Sequence, residues 1–293
     1  MKRSALLITL ISLLALSCGK NDNQLGGSGL IEATQTLVSA EVAGQIEQVL
    51  CDEGDHLEIG DTLARIDTTT VALQLKQAEA GLSAAQAQIE VTRIDIQRAA
   101  EQRDLAQKEF DRAAKLIVSG SVNQQQYDQA ENALAQAKLS YRKANAALAA
   151  AEADIARLEA QVALLQQQLA YCTPLSPVSG VVTEKYIEVG ELVAPGRPLV
   201  EIARLDTVWV KIYLPPQHLT AIALGATAEV DPEDGRTEPL VGRVSWIASE
   251  AEFTPKNVQT KEARADLVYA VKIEIANPEQ ALKIGMPVAV RIP

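Results

Sequence analysis

Residues 43–66 read AGQIEQVLCDEGDHLEIGDTLARI, and residues 179–202 read SGVVTEKYIEVGELVAPGRPLVEI. Both stretches carry glycine at the same three offsets, followed by a matching leucine and isoleucine. The shared glycines are Gly44, Gly54, Gly60, Gly180, Gly190 and Gly196. A constant offset of 136 residues, as between Gly44 and Gly180, is typical of an internal repeat. The sequence therefore predicts one small β module built from two copies of a half.

The residues between the two halves show a helical pattern. Small or apolar residues recur with a 3,4 spacing from Val71 to Ile117, interrupted only by Thr92 and Arg103, and again without interruption from Tyr127 to Leu169. A sustained period of 3.5 predicts a narrow seam between two helices. The short segment Ser119–Asn123 allows only an antiparallel turn. Because Gln, Glu, Lys and Arg occupy many positions outside the seam, we expect solvated polar outer faces.

Each predicted helix has about 47 residues, which corresponds to a rod of roughly 70 Å. Any of the threonines at 68–70 can cap the first helix, and Pro174 and Pro177 prevent the second from continuing. The rod therefore begins and ends on the β module, whose two halves meet at the base of the hairpin.

Strand patterns replace the helical pattern after Ile202. Apolar and polar residues alternate over 208–214, 271–275 and 288–292, which predicts strands with one buried face. Pro215 and Pro216 can open a short helix that Gly225 closes, and residues 231–235 form a predicted turn. We expect a small β-barrel of about 90 residues here.

The N-terminus has the features of an export signal. Lys2 and Arg3 precede the apolar run Ala5–Leu16, which is too short for a membrane span of about 20 residues. Cys18 follows Ser17 at the end of this run, as the acylated cysteine of a bacterial lipoprotein does. Ordinary cleavage near Ser17 and an uncleaved short anchor are the alternatives. The Gly- and Asn-rich residues 19–29 are interpreted as a flexible tether.

Composition and motifs exclude several classes of function. The net charge is −11 and no cluster of Lys or Arg occurs, so we expect no nucleic-acid partner. No nucleophile elbow, phosphate-binding loop or set of spaced metal ligands is present, so we predict no enzyme and no cofactor. Cys51 and Cys172 can pair in an oxidising compartment, although their places in or beside strands favour small apolar packing.

The fold class is thus α+β: a coiled-coil hairpin inserted in a split β-sandwich and followed by a barrel. The predicted boundaries are 1–17 for a signal peptide, 18–33 for anchor and tether, 34–67 and 173–203 for the two halves, 68–172 for the hairpin with its tip at 119–123, and 204–293 for the barrel.

The two β halves resemble the half-motifs of lipoyl and biotinyl carrier domains. In carriers a modified lysine lies on the turn that joins the halves, whereas here the hairpin replaces that turn and residues 66–70 contain no lysine. Lys185 lies in the second half, away from the junction. The resemblance implies the lipoyl-like fold, and the missing lysine argues against a carrier function.

Split lipoyl-like halves around a hairpin, behind a lipoprotein-like signal, resemble the HlyD-type periplasmic adaptor (membrane fusion protein) family. That family often carries Arg at the hairpin tip, Leu four positions later and Ser seven further, and these residues dock on an outer-membrane channel. This chain has Arg112, Leu116 and Asn123 at the three places. Asn can replace Ser as a helix cap, while its contact with a channel can differ. A solvated charge at Arg112 and a residue flanking the seam at Leu116 are the alternatives.

Three C-terminal segments, AEFTPKNVQT, DLVYAVKIEI and GMPVAVRIP, are similar in sequence to a YbhG-like subgroup of adaptors found with ABC-type exporters. The loop Glu250–Asp266, with Lys256, Lys261 and Arg264, is either a surface facing the transporter or simply a mobile surface loop.

The resemblance implies an adaptor that links an inner-membrane transporter, of the ABC type, to a TolC-like outer-membrane channel. It also implies a homo-oligomer, commonly a hexamer, in the periplasm. A lipid anchor at Cys18 would hold it on a membrane; the inner membrane is favoured, although Gly19 supplies no known retention signal. A non-catalytic envelope scaffold and a carrier domain are the alternatives.

Overall fold

The computed structural model describes residues 25–233, 235, 238–253 and 267–293. The predicted signal peptide, Cys18 and the loop residues Lys256, Lys261 and Arg264 lie outside these ranges. Two long helices, α1 (Thr69–Val118) and α2 (Gln124–Tyr171), separate two groups of strands. The strands are β1 Leu25–Ser39, β2 Gly44–Val49, β3 His56–Leu57, β4 Ala64–Ile66, β5 Gly180–Lys185, β6 Leu192–Val193, β7 Pro198–Leu214, β8 Thr227–Asp231, β9 Leu240–Ile247, β10 Glu252–Phe253, β11 Leu267–Ala276 and β12 Pro287–Ile292.

The antiparallel hairpin of α1 and α2 forms the predicted rod. The helices have 50 and 48 residues, which gives a length of about 75 Å. Every residue buried between them occupies a predicted seam position: Ala78, Ile89, Ala99, Ala106, Leu134, Val162 and Leu165. The heptad prediction is therefore confirmed. In the part of the chain that the structure describes, no helix is long and apolar enough to cross a membrane.

The two polar residues in the seam of α1 are accommodated in different ways. The Thr92 hydroxyl donates to the Gln88 carbonyl oxygen one turn earlier, at 3.2 Å. The Arg103 guanidinium lies 4.3 Å from the ring centroid of Tyr141 and pairs with Asp104 at 2.7 Å. A cation over an aromatic face keeps its charge while its aliphatic part fills the seam.

The start of α1 differs from the prediction. Thr68 occupies the cap position, but its side chain makes no capping hydrogen bond. Instead Asp67 Oδ1 accepts from the backbone N–H of Thr69 at 2.8 Å. Hydrogen bonds from the side chain and the backbone of Thr69 lower the pKa of Asp67. A carboxylate at this end of a helix also interacts favourably with the helix dipole.

The outer faces of the rod are less polar than the sequence composition suggested. The Gln, Glu, Lys and Arg residues outside the seam are mostly exposed, as expected, but large apolar side chains are exposed beside them along both helices. They are Leu73, Val91, Ile94, Leu105, Leu139 and Leu164.

The two β halves interlock through matched hydrogen bonds. Gly54 N–H donates to the Val182 carbonyl at 2.9 Å, and its counterpart Gly190 donates to Ile46 at 2.8 Å. The same exchange joins Gly60 to Ser176 at 2.9 Å and Gly196 to Ala40 at 2.8 Å. Each bond therefore has a partner bond 136 residues away, and neither half completes its backbone pairing alone.

The repeated glycines serve two distinct purposes. Gly54 and Gly190 have φ of +93° and +92°, a backbone conformation that side chains other than glycine rarely adopt. Gly44 and Gly180 instead lie where another strand passes closely. A Cβ on Gly44 would lie 2.5 Å from Ile66 Cγ2, and one on Gly180 would collide with the Ala203 carbonyl.

The core of the module consists of two apolar clusters, and each contains residues of both halves. Cys51 packs with Leu63 and Val200 in one cluster, while Cys172 packs with Ile66 and Leu199 in the other. Both thiols are free and buried, and burial raises the pKa of each. The packing interpretation is confirmed, and no disulfide joins these two residues.

The barrel closes from six antiparallel strands in the order β7, β11, β9, β8, β12, β1 and back to β7. The alternating positions of the sequence form its core, including Val210, Ile212 and Ile273. The predicted short helix is a single 3-10 segment at Pro216–Ala221. The strands β1 and β7 are long enough to continue from the barrel into the split module, where they pair with each other up to Ser39 and Pro198.

The strand β1 corrects the interpretation of residues 18–33 as a tether. From Leu25 onward this segment is a strand that pairs with β12 and β7, and Ile31 is fully buried. Its glycines permit contact with neighbouring strands: a Cβ on Gly29 would lie 2.5 Å from the Lys211 carbonyl oxygen. The barrel is thus incomplete without the N-terminal segment, and residues 204–293 do not contain all of it.

Candidate docking site at the hairpin tip

The turn between α1 and α2 is closed by hydrogen bonds to the last carbonyls of α1. Ser121 N–H donates to the Leu116 carbonyl at 2.9 Å, and Gly120 N–H donates to Ile117 at 3.1 Å. Gly120 has φ of +70°, which is the left-handed conformation common after a helix C-terminus. The Ser119 hydroxyl also donates to the Leu116 carbonyl at 2.9 Å. These bonds satisfy groups that the end of α1 would otherwise leave free.

Asn123 caps α2, as expected from its similarity to serine at this position. Its Oδ1 accepts from the Gln126 backbone N–H at 2.9 Å, and Gln126 Oε1 accepts from the Asn123 N–H at 3.2 Å. This reciprocal pair is a capping box. The Asn123 side-chain oxygen is therefore engaged in the turn.

The candidate docking residues Arg112 and Leu116 are four positions apart on α1 and therefore share one face. Leu116 is 37% exposed, and Arg112 is exposed and forms no ion pair with any residue that the structure describes. The structure thus places Arg112, Leu116 and Asn123 within the last turns before and after the tip. A free cation beside an exposed leucine can bind a complementary protein surface.

Val118 is a further candidate that sequence analysis missed. It is 89% exposed, the largest exposed fraction among the large apolar side chains that the structure describes. The available signal was its position: Val118 follows the last seam residue, Ile117, and directly precedes the turn. Just below, the rings of Phe110 and Tyr127 pack with centroids 5.5 Å apart, which links the two helices under the tip.

A family model with the description "RND MFP, barrel-sandwich hybrid domain", where MFP denotes membrane fusion protein, matches residues 34–203, more than half of the chain. The chain belongs to the membrane fusion protein family. This finding confirms the resemblance to HlyD-type adaptors.

Relatives of this membrane fusion protein match over nearly its whole length. A UPF0194 membrane protein of Yersinia pseudotuberculosis serotype IB is 30% identical, over 94% of this chain and 91% of its own. A UPF0194 membrane protein of Yersinia enterocolitica is 31% identical, over 90% of this chain and 88% of its own.

Two solved structures show the same fold. MacA from Actinobacillus actinomycetemcomitans has a TM-score of 0.70 at 22% identity, over 92% of this chain and 78% of that one. A MacA–MexA chimeric protein that contains the Pseudomonas aeruginosa MexA α-hairpin has a TM-score of 0.56 at 21% identity, with the same coverage. At these identities the likeness concerns the fold alone, and it confirms the α+β architecture with a helical hairpin and a barrel.

In the split module of this membrane fusion protein, the side chain of Lys185 is engaged in ion pairs. The ammonium group pairs with Asp52 at 2.8 Å and with Glu188 at 3.2 Å, and its side chain is only 19% exposed. The hydrogen bonds with Asp52 and Glu188 raise its pKa. An ion-paired ammonium is a poor nucleophile, which argues further against a carrier function.

Among the described residues, no three His, Cys, Asp or Glu side chains converge as a metal site would require.

Asn123→Ala is expected to loosen the start of α2 by removing the capping box, at a cost of about 1 kcal/mol. Amide hydrogen exchange should accelerate at Gln126, whose N–H loses its acceptor. Asn123→Ser is the matched control, because a serine hydroxyl can accept the same hydrogen bond. If exchange at Gln126 is equally slow in the alanine variant, the cap does not hold the tip in its conformation.

Proposed function

We propose that this chain is a periplasmic adaptor, without catalytic activity, that couples an inner-membrane transporter to an outer-membrane channel. The observation that carries this proposal is the tip itself. A rod of about 75 Å ends in a hydrogen-bonded turn, and the residues beside it include the exposed Arg112, Leu116 and Val118. Exposed apolar side chains at the end of a rigid rod are typical of a contact surface.

The opposite end of the molecule is proposed to lie beside the inner membrane. The strand β1 begins at Leu25, seven residues after Cys18. If Cys18 carries the lipid, a fully extended chain keeps Leu25 within about 25 Å of the bilayer surface. Under this proposal the chain lies in the periplasm. Its barrel is at the transporter, and its tip is directed away from it.

The transporter is proposed to be of the ABC type and the channel TolC-like. The support for the ABC type is the similarity of the C-terminal strands, DLVYAVKIEI and GMPVAVRIP, to adaptors of such exporters. The description of the matching family model names RND systems instead. The class of the transporter is therefore tested by identifying the transporter that co-purifies with the adaptor. The adaptor is further proposed to act as a ring, commonly of six copies, because one hairpin cannot enclose a path.

The proposal is tested with photo-reactive residues in the full chain, produced in cells that retain their envelope. Probes at Arg112 and Asn123 are compared with a probe at Glu152, an exposed position on the same rod. We expect capture of an outer-membrane channel from the two tip probes alone, together with a co-purifying transporter. If a transporter co-purifies but neither tip probe captures a channel, a passive envelope scaffold is the better account.

A further inference from the structure

A cleft lies where the split module meets the barrel. Its volume is about 440 Å³, which is within the usual range for sites that bind small molecules. The split module lines it with His56, Ile59 and residues 178–181, where β5 begins. The barrel lines it with residues 204–206 of β7 and with Gln280, from the turn after β11. A molecule bound in this cleft would therefore contact the split module and the barrel at once.

The lining of the cleft carries one fixed charge of each sign. Arg204 and Asp206 are both exposed, and neither forms an ion pair with another residue that the structure describes. A ligand with only positive charge would be repelled by Arg204, and one with only negative charge would be repelled by Asp206. The lining therefore favours a ligand that carries both charges.

An irregularity in β7 places these two charged residues in the cleft. The partner of β7 on β1 changes from Val208 opposite Ala33 to Arg204 opposite Thr34. Three residues of β7, at positions 205–207, are thus left without a partner on β1. Such bulges turn side chains away from the regular alternation of a strand and often occur beside functional sites. Here the bulge lies at the boundary between the split module and the barrel.

The bulge is held by the buried side chain of Asn277. Its Nδ2 donates to the Leu205 carbonyl oxygen at 2.8 Å, and its backbone N–H donates to the Asp206 carbonyl oxygen at 2.7 Å. Its Oδ1 accepts from the Leu282 N–H at 3.0 Å, which fixes the turn that contains Gln280. Two walls of the cleft are therefore joined by hydrogen bonds before any ligand arrives, and a preformed site loses little entropy on binding.

The backbone of Gln280 is strained. Its φ is +52°, and among the described residues other than glycine only Glu233 shares a positive φ. The N–H of Gln280 donates to the Asn277 carbonyl oxygen at 3.0 Å, so the same asparagine maintains this conformation. Residues held in such conformations cluster at sites of function.

The rest of the lining is apolar. Val178, Val181 and Leu205 line the cleft, and the 71% exposed side chain of Ile59 lies beside them. The Ile59 N–H donates to Ser179 Oγ at 3.3 Å, which ties the two segments of the split module together. An apolar group of a ligand can be buried against these side chains.

We propose that this cleft binds a short zwitterionic peptide with an apolar side chain, its carboxylate at Arg204 and its ammonium group at Asp206. An arginine can hold a carboxylate with two parallel hydrogen bonds. The imidazole of His56 and the amide of Gln280 supply further polar contacts from opposite walls. This binding does not depend on the adaptor function proposed above.

The test is calorimetric titration of the purified full chain with three related probes. They are the dipeptide leucyl-leucine, its N-acetylated derivative, which has no ammonium group, and its C-terminal amide, which has no carboxylate. We expect each blocked derivative to bind at least about tenfold more weakly than the dipeptide, because it loses one contact between charged groups. Equal binding of all three probes, or no binding of the dipeptide at millimolar concentration, would overturn the proposal.

Two variants assign the charges of the ligand to residues. In Arg204→Gln, the dipeptide and its amide should bind equally, whereas in Asp206→Asn the dipeptide and its N-acetylated derivative should do so. Both residues are exposed, so we expect the thermal unfolding temperature to remain unchanged. Arg243→Gln is the matched control, because Arg243 is an exposed arginine of β9 outside the cleft lining. If both cleft variants keep the preferences of the control, the peptide binds elsewhere and the proposal is wrong.

Amide hydrogen exchange gives a second readout, on where the ligand lies. The bound dipeptide should slow exchange at Ile59 and at Gln280, which belong to the split module and to the barrel respectively. Slower exchange at both positions supports a ligand that bridges the two. Slower exchange at neither, or on one wall alone, would contradict it.

Discussion

Gly29→Val is expected to destabilise the barrel severely, by about 2–4 kcal/mol. A Cβ at this position would lie 2.5 Å from the Lys211 carbonyl oxygen and 2.7 Å from Val210 Cγ2. Both atoms belong to β7, which is paired on its other edge with β11, so this strand cannot move aside without breaking that pairing. The free energy of unfolding, measured by chemical denaturation, should fall accordingly.

Ser28→Val is the control for this experiment. Ser28 is the preceding residue of the same strand and is exposed, and valine is favourable in strands. The control should leave the free energy of unfolding within about 0.5 kcal/mol of the unchanged chain. Equal stability of the two variants would show that residues 25–33 do not complete the barrel and that the tether interpretation was right after all.

Leu116→Glu is expected to reduce the channel recovered with the adaptor more than tenfold, which corresponds to a loss of at least about 1.4 kcal/mol of binding energy. The substitution places a charge in the middle of the apolar contact that we propose for the tip, and a charge buried there without a partner is costly. Quantitative pull-down of the cross-linked complex from the envelope measures the effect.

Leu105→Glu provides the matched comparison, because Leu105 is also an exposed leucine of α1 but lies three turns farther from the tip. Recovery of the transporter serves as an internal standard in both variants. An equal loss of channel in both variants would indicate a general defect of the hairpin, and no loss in either would remove Leu116 from the docking surface.

Sequence patterns predicted the elements whose information is local or periodic. The seam of the hairpin could be found because each of its residues repeats a heptad position, from Ala78 to Leu165. The split module could be found because Gly54 and Gly190 require the same unusual backbone conformation in both halves. Its two copies therefore retain glycine at the same offsets.

The strand β1 could not be predicted in this way. A flexible tether and a strand that lies closely against its neighbours can both be rich in glycine. Which of the two forms here depends on contacts with Val210, Lys211 and Val290, which are remote in sequence. The exposed apolar side chains of the rod were missed for another reason. Leu73 and Ile94 lie outside the seam period, and the sequence by itself gives no measure of their exposure.

The continuity of β1 and β7 has a mechanical consequence. Hinge motions concentrate in a few loop residues that absorb large backbone rotations, but these two strands enter the split module without an intervening loop. We therefore expect a rotation of the barrel to carry the base of the hairpin with it, along a strand pair that shifts its register after Ala33 and after Val38 but contains no loop. A small rotation of the barrel becomes, after about 75 Å of rod, a much larger sweep of Leu116 and Val118.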